Sequence, residues 1–200
     1  RQTGRYRSLA FVNSQAKAGD PASAVGHIQS VAATPARDAR TGGPGAVIPT
    51  ELVPAYARLM LAAGLVAADA GGTGLLEGKV RDGLLGPALV AGGGAGSLAA
   101  ALAAVLCASD AAAAGLAPTP TSLASPTPPC TRRTRALSIE ADPVVAAAAE
   151  AWFGAPGPSG GGAEVVTPLG VAALTADAAP TLAAASPGST ALVFMDAMVG

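Results

Sequence analysis

Ala88-Leu-Val-Ala-Gly-Gly-Gly-Ala-Gly-Ser-Leu98 is the stretch that decides the fold. A short apolar run enters three consecutive glycines, and an alanine-rich helical pattern follows as far as Cys107. A buried strand, a tight turn and a helix start in this order let backbone approach a ligand closely. Glycine permits the approach because it lacks Cβ and tolerates positive φ. Gly92, Gly94 and Gly96 form G-x-G-x-G. The dinucleotide fingerprint G-x-G-x-x-G would require glycine at 97, where Ser97 stands. With 26 glycines in 200 residues, the turn is informative only through what accompanies it.

Downstream, the chain alternates between strand and helix signals. Residues 97–108 predict a helix. Residues 117–135 carry Pro118, Pro120, Pro126, Pro128 and Pro129 and read as a flexible surface insertion, since proline breaks both helix interiors and central strands. Arg135-Ala-Leu-Ser-Ile-Glu-Ala-Asp142 predicts a short strand ending in acid, and Pro143 opens a helix over 144–153. A loop over 154–162, a strand over 163–167 and a short helix over 177–185 follow. Thr190-Ala-Leu-Val-Phe-Met-Asp196 reads as a buried strand, again ending in acid.

Upstream, residues 6–16 and 20–33 read as helices, with Asp20-Pro21 as N-cap and N1 pair. Residues 33–46 are polar and rich in Gly and Pro, hence loop. Leu52, Tyr56, Leu59, Leu61 and Leu65 recur at helical spacing and predict a helix over 49–68. Residues 77–85 suggest a short helix stopped by Gly86-Pro87. The predicted organisation is an N-terminal helical segment over 1–70, then an α/β domain over 71–200 interrupted at 117–135. Alternating strands and helices imply a parallel sheet, and such a sheet binds ligands beyond the carboxyl ends of its strands. The glycines, Glu140 and Asp196 all fall at such ends.

Composition narrows the options. Apolar residues make up 50% of the chain and aromatics only 3%, so the core is built largely from alanine with Val and Leu. Each small side chain buries little area, at about 25 cal/mol per Å². A net charge of −1 offers no electrostatic case for nucleic acid or an anionic membrane. Between Asp82 and Asp110 lies an uncharged stretch long enough to cross a bilayer, but its glycines fit a buried strand followed by a buried helix better. Cys107 and Cys130 make no disulfide framework and read as free thiols in a reducing, cytoplasmic setting. His27 has no metal-ligating neighbours at suitable spacing and reads as a surface residue. Arg1, Arg5, Arg7 and Lys17, without an acid among the first nineteen residues, form a basic helix face or the remnant of an organelle transit peptide.

An acid at the tip of the second strand of such a sheet can accept both hydroxyls of a ribose. Glu140 holds that place, with Asp142 as its substitute; the plain alternative is an acid favoured by a helix N-terminus. Asp196, at the tip of the fourth strand, suits a hard cation or a substrate, or serves only as a strand-end aspartate.

These residues together resemble the class I S-adenosylmethionine-dependent methyltransferases, in particular the catechol O-methyltransferase branch. The glycine segment is similar to their first motif. Ile139-Glu140 resembles the pair whose acid holds the cofactor ribose. Thr175-Ala-Asp-Ala-Ala-Pro-Thr-Leu182 is similar to the segment in which a small hydroxyl residue, here Thr175, helps hold the adenine end. Val193-Phe-Met-Asp196 resembles Val-Phe-Leu-Asp, whose aspartate ligates magnesium beside the transferred methyl group. Gly78-Lys79-Val80 is similar to the family's Gly-Lys-Ile, and residues 20–31 to its leading helix.

The resemblance implies a Rossmann-like methyltransferase sheet and S-adenosylmethionine and Mg²⁺ as cofactors. It further implies a small-molecule hydroxyl acceptor of catechol type, with Gly92, Gly94, Gly96, Glu140 and Thr175 at the cofactor and Asp196 at the metal. It covers about 20–200, most strongly 88–196. Val90 stands where the family usually has an acid, and no lysine follows Asp196 to act as base. The remaining metal ligands would lie beyond Gly200, which implies a partial cofactor-binding domain. The apolar edge of such a sheet is expected to aggregate. Two competing readings are a non-catalytic scaffold of the same fold and a different doubly wound nucleotide binder or membrane-associated protein.

Overall fold

The computed structural model describes residues 5–12, 25–34, 52–76, 87–113, 115, 136–155, 171–184 and 190–195. The strands are β1 (Arg5–Val12), β2 (Val25–Thr34), β3 (Ala88–Ala91), β4 (Ala136–Glu140), β5 (Val171–Thr175) and β6 (Leu192–Met195). The helices are α1 (Ala55–Ala70), α2 (Ser97–Ala113), α3 (Pro143–Phe153) and α4 (Ala178–Ala183).

The decisive run behaves as its composition predicts. All four residues of β3 are buried, as befits a central parallel strand covered on both faces. β3 pairs in parallel with β4 (Ala88 opposite Ala136) on one side and with β6 (Ala88 opposite Leu192) on the other. β5 adds to β4, giving the all-parallel order β5-β4-β3-β6. This is an α/β, Rossmann-like arrangement. The strand order reverses at β3, and in doubly wound sheets the ligand crevice lies at such a point, beyond the carboxyl ends of the strands.

Alternation along β3 sends side chains to two cores. Ala88 and Val90 join Ala136, Val171 and Phe194 under α2, which contributes Leu98, Ala99, Leu102, Ala103 and Leu106. Met60, Leu61 and Leu65 of α1 pack against the same cluster. Leu89 and Ala91 face the other way with Leu137, Ile139 and Ala172, against Ala178 and Leu182 of α4. Apolar surface is thus covered by helices on both sides of the sheet, the doubly wound solution.

Helix ends follow local chemistry. Asp142 accepts a hydrogen bond from Val144 N at 2.8 Å, and Pro143 sits at the first helical position of α3. Gly154, at φ 65°, closes that helix in the left-handed region. Asp177 caps α4 through Ala179 N at 2.9 Å. The Ser109 hydroxyl donates to Leu76 O, tying the C-terminal half of α2 to the turn after α1.

Two expectations are corrected. Over 6–16 and 20–33 the described residues form not helices but the antiparallel hairpin β1–β2, with Arg5 opposite Thr34 and Val12 opposite Val25. Tyr6, Phe11, Val12, Val25, Ile28 and Val31 are aromatic or β-branched and suit a ladder once a partner strand is present. The segment 1–70 is therefore helical, among its described residues, only at Ala55–Ala70. Cys107 is disulfide-bonded rather than a free thiol. Spacing in sequence cannot show which thiols folding brings together. The cysteine argument for a reducing compartment falls with it. The strand beside β4 is Val171–Thr175, a segment for which no strand was expected.

The strand expected over 163–167, the helix over 77–85, the insertion over 117–135, the Asp20-Pro21 cap, Cys130 and Asp196 lie outside the described residues. The stretch from 88 to 110 forms β3 and most of α2, as a buried strand and helix. No helix among the described residues is long and apolar enough to cross a membrane.

Phe194 is the aromatic side chain that joins β6 to the α1–α2 core, and it is 5% exposed, whereas neighbouring Met195 is 65% exposed. Phe194→Ala is expected to cost about 3–5 kcal/mol in equilibrium denaturant unfolding, and Met195→Ala less than about 0.5 kcal/mol. Equal losses at the two positions would contradict the burial pattern of β6.

Candidate functional site

Leaving β3, the chain bends sharply at the carboxyl edge of the sheet. Gly92, Gly94 and Gly96 have φ of 82°, 50° and 76°, conformations that L-residues with a Cβ rarely adopt. The spacing G-x-G-x-G is thus a conformational requirement of this turn. Gly96 N donates to Gly93 O at 2.8 Å, and Ala100 N then donates to Gly96 O at 3.0 Å, which starts α2.

β4 braces the turn. Gly92 N and Gly93 N both donate to Ile139 O, each at 2.9 Å. Gly94 N donates to Glu140 Oε2 at 2.9 Å. The other oxygen of that carboxylate, Oε1, accepts from Asp142 N at 3.1 Å. Glu140 is only partly exposed, and its carbonyl accepts from Ala176 N at 3.1 Å. One residue therefore binds the glycine turn, the start of α3 and the end of β5.

The structure brings most of the sequence-derived candidates together. Gly92, Gly94 and Gly96 line the turn, Glu140 bonds to it, and Thr175 lies directly opposite Glu140 in the β4–β5 register. Asp196 follows β6 in sequence and lies outside the described residues. Asp142, the substitute for Glu140, is instead engaged as the cap of α3. Val90 is 1% exposed and sits in the α2 core, so the position where the family has an acid does not reach the crevice. Among the described residues no group of three or more His, Cys, Asp or Glu is placed to hold a metal ion.

Two features of the structure have no counterpart in the sequence reading. Gly93 is required by close approach, not by φ. A Cβ on it would collide with Ser138 Oγ, in the middle of β4. The run of three glycines was the available signal, and Ser138, the buried polar residue in that strand, was its partner. A concavity of about 800 Å³ lies between α1 and α2, lined by Leu61, Leu65, Ala101 and Val105 among others. It follows the middle and C-terminal half of α2, away from the turn.

The approach of Gly93 to Ser138 makes a pairwise prediction. Gly93→Ala is expected to destabilise by about 1–3 kcal/mol through overpacking. In a Ser138→Ala background the cost should largely disappear, because the Ser138 Cβ would be 3.5 Å from the added methyl, an ordinary contact. A double-mutant cycle by denaturant unfolding measures the coupling; additive losses would mean that the turn does not pack on β4 in this way.

Compared with protein-family models, curated proteins and solved structures, the chain matches none.

Proposed function

We propose that the crevice binds S-adenosylmethionine and that the chain serves S-adenosylmethionine-dependent O-methyl transfer to a small-molecule hydroxyl of catechol type. One observation carries the reading. The glycine turn and the acid at the tip of the neighbouring parallel strand, distant in sequence, meet in a hydrogen bond of 2.9 Å from Gly94 N to Glu140 Oε2. In doubly wound sheets this edge is where ligands bind, and an acid there recognises ribose hydroxyls.

The residues fit a nucleoside. A carboxylate offers about four acceptor positions. Two on Glu140 are taken by Gly94 N and Asp142 N, which leaves acceptors for two vicinal hydroxyls. The left-handed glycines carry no side chain that would keep a flat ligand from the backbone. Thr175, beside Glu140, offers a hydroxyl at the adjoining strand end. The cofactor would supply an activated methyl group on sulfonium. The protein's part is orientation, which by itself can account for much of the acceleration in a group transfer. Asp196 would hold a divalent cation, which would supply charge stabilisation to the acceptor oxygen.

A second reading is favoured by Val90. Its burial in the α2 core leaves the crevice without one acid that the resembled family supplies. A protein that keeps the fold as a scaffold would tolerate that loss.

Isothermal titration of the chain with S-adenosylhomocysteine separates the two. Saturable one-site binding is expected, weakened about 10–100-fold by Glu140→Ala through loss of charge-assisted hydrogen bonds. No binding by the wild-type chain would overturn the cofactor reading and favour the scaffold. Binding indifferent to Glu140→Ala would remove Glu140 from the site.

A further inference from the structure

α1 is apolar on both of its faces. On the inner face Met60, Leu61 and Leu65 pack against the core under α2, and Phe194 lies where a Cβ on Gly64 would be. A helix covering a core normally turns a charged or polar face to water. α1 does not. Leu59 is 71% exposed, Val66 68% and Tyr56 46%. At the helical repeat Leu59 and Val66 lie at the centre of the outer face, with Tyr56, Ala63 and Ala70 to one side and Ala62 to the other, all exposed. The apolar stripe is about 120° wide. A helix apolar all round is characteristic of a buried element, and a contiguous exposed apolar patch marks an interaction site.

The charges of α1 identify the occupant. Arg58 and Asp69 are its only charged residues. Both are exposed, and both border the stripe on the Ala62 side. They stand about three turns apart, one near each end of the helix. A twofold axis that pairs two helices antiparallel brings opposite ends together and keeps like flanks on the same side. Two copies of α1 joined by this face therefore set Arg58 of each copy beside Asp69 of the other. Leu59 of each copy meets Val66 of the other, and the two Ala63 side chains meet near the axis, where their size permits close approach. A parallel pair would instead turn each charged flank towards the uncharged Tyr56 flank of its mate. The stripe and its two charges are thus self-complementary in the antiparallel sense alone.

We propose that the outer face of α1 is a dimer interface, packed antiparallel on α1 of a second copy of this chain about a twofold axis near Ala63. The apolar stripe supplies the attraction, and the reciprocal Arg58–Asp69 pairs fix the register and direction. α1 is about 24 Å long, so this contact lies at the low end of specific interfaces and the dimer is expected to dissociate in the micromolar range. The proposal is independent of what the crevice binds.

Sedimentation velocity of the whole 200-residue chain, from low micromolar to submillimolar concentration, tests it. The wild-type chain should show a reversible monomer–dimer equilibrium. Leu59→Glu should keep the wild-type circular dichroism and weaken the dimer at least about tenfold, since it brings charge into an apolar contact. Arg58→Asp and Asp69→Arg each turn both ion pairs into like-charge pairs, and each should weaken self-association about tenfold or more. Mixed in equal amounts, these two variants should associate about as tightly as wild type, because both contacts between them then join opposite charges.

A wild-type chain that stays monomeric throughout would overturn the proposal. So would association that survives Leu59→Glu, which would place the contact elsewhere, the β6 edge included. Charge variants that gain nothing on mixing would overturn the antiparallel pairing. Should Leu59→Glu fail to fold, the two charge variants, both at exposed positions, decide the matter.

Discussion

The parallel pairing of β3 with β4 is the constraint on which the remaining structure depends. It aligns Ala91 with Ile139, so the next two N–H groups, of Gly92 and Gly93, meet Ile139 O at the sheet edge. The chain must then turn back over the sheet within a few residues. Left-handed glycines make that turn available, and α2 begins at its far end. Once α2 lies on the sheet, Val90, Leu102 and Leu106 close one core, and β6 completes it with Phe194. Burial of the first contacts and geometry of the candidate site have a common origin in this one ladder.

The small size of the side chains shapes both. Leu89, Leu102, Ile139 and Val90 are the largest fully buried residues, and alanines fill much of the rest. Alanine lets helix and sheet approach closely but contributes little area per residue. Stability is therefore concentrated in a few larger groups. Close approach also reaches the site, where Gly93 lies against Ser138 with no room for a methyl group. A turn packed this tightly is preorganised, and its hydrogen bonds are committed before any ligand arrives.

Local chemistry was legible wherever a signal and its consequence were neighbours in sequence. The apolar run 88–91 became β3, the helical pattern after it became α2, and Asp142-Pro143 opened α3. The hairpin β1–β2 was not legible, because Arg5–Val12 is a strand only through its pairing with Val25–Thr34. β5 shows the same limit. Val-Ala-Ala-Leu-Thr at 171–175 contains two alanines and reads weakly as a strand. Its state comes from the partner, with Ala172 placed opposite Leu137 and Thr175 opposite Glu140.

By itself the sequence determined that a parallel α/β sheet would carry a glycine turn and an acid at its carboxyl edge. Glycine spacing, proline placement and hydrophobic runs act over a few residues, and their consequences can be read in place. Only the tertiary structure decided what that turn and that acid do to each other. The bond from Gly94 N to Glu140 Oε2 spans 46 residues of chain, and no local rule anticipates it. With its N–H groups held by Ile139 and Glu140, the turn presents a bare backbone surface beside a carboxylate. Each N–H can donate to only one strong acceptor, and strand pairing had already chosen it.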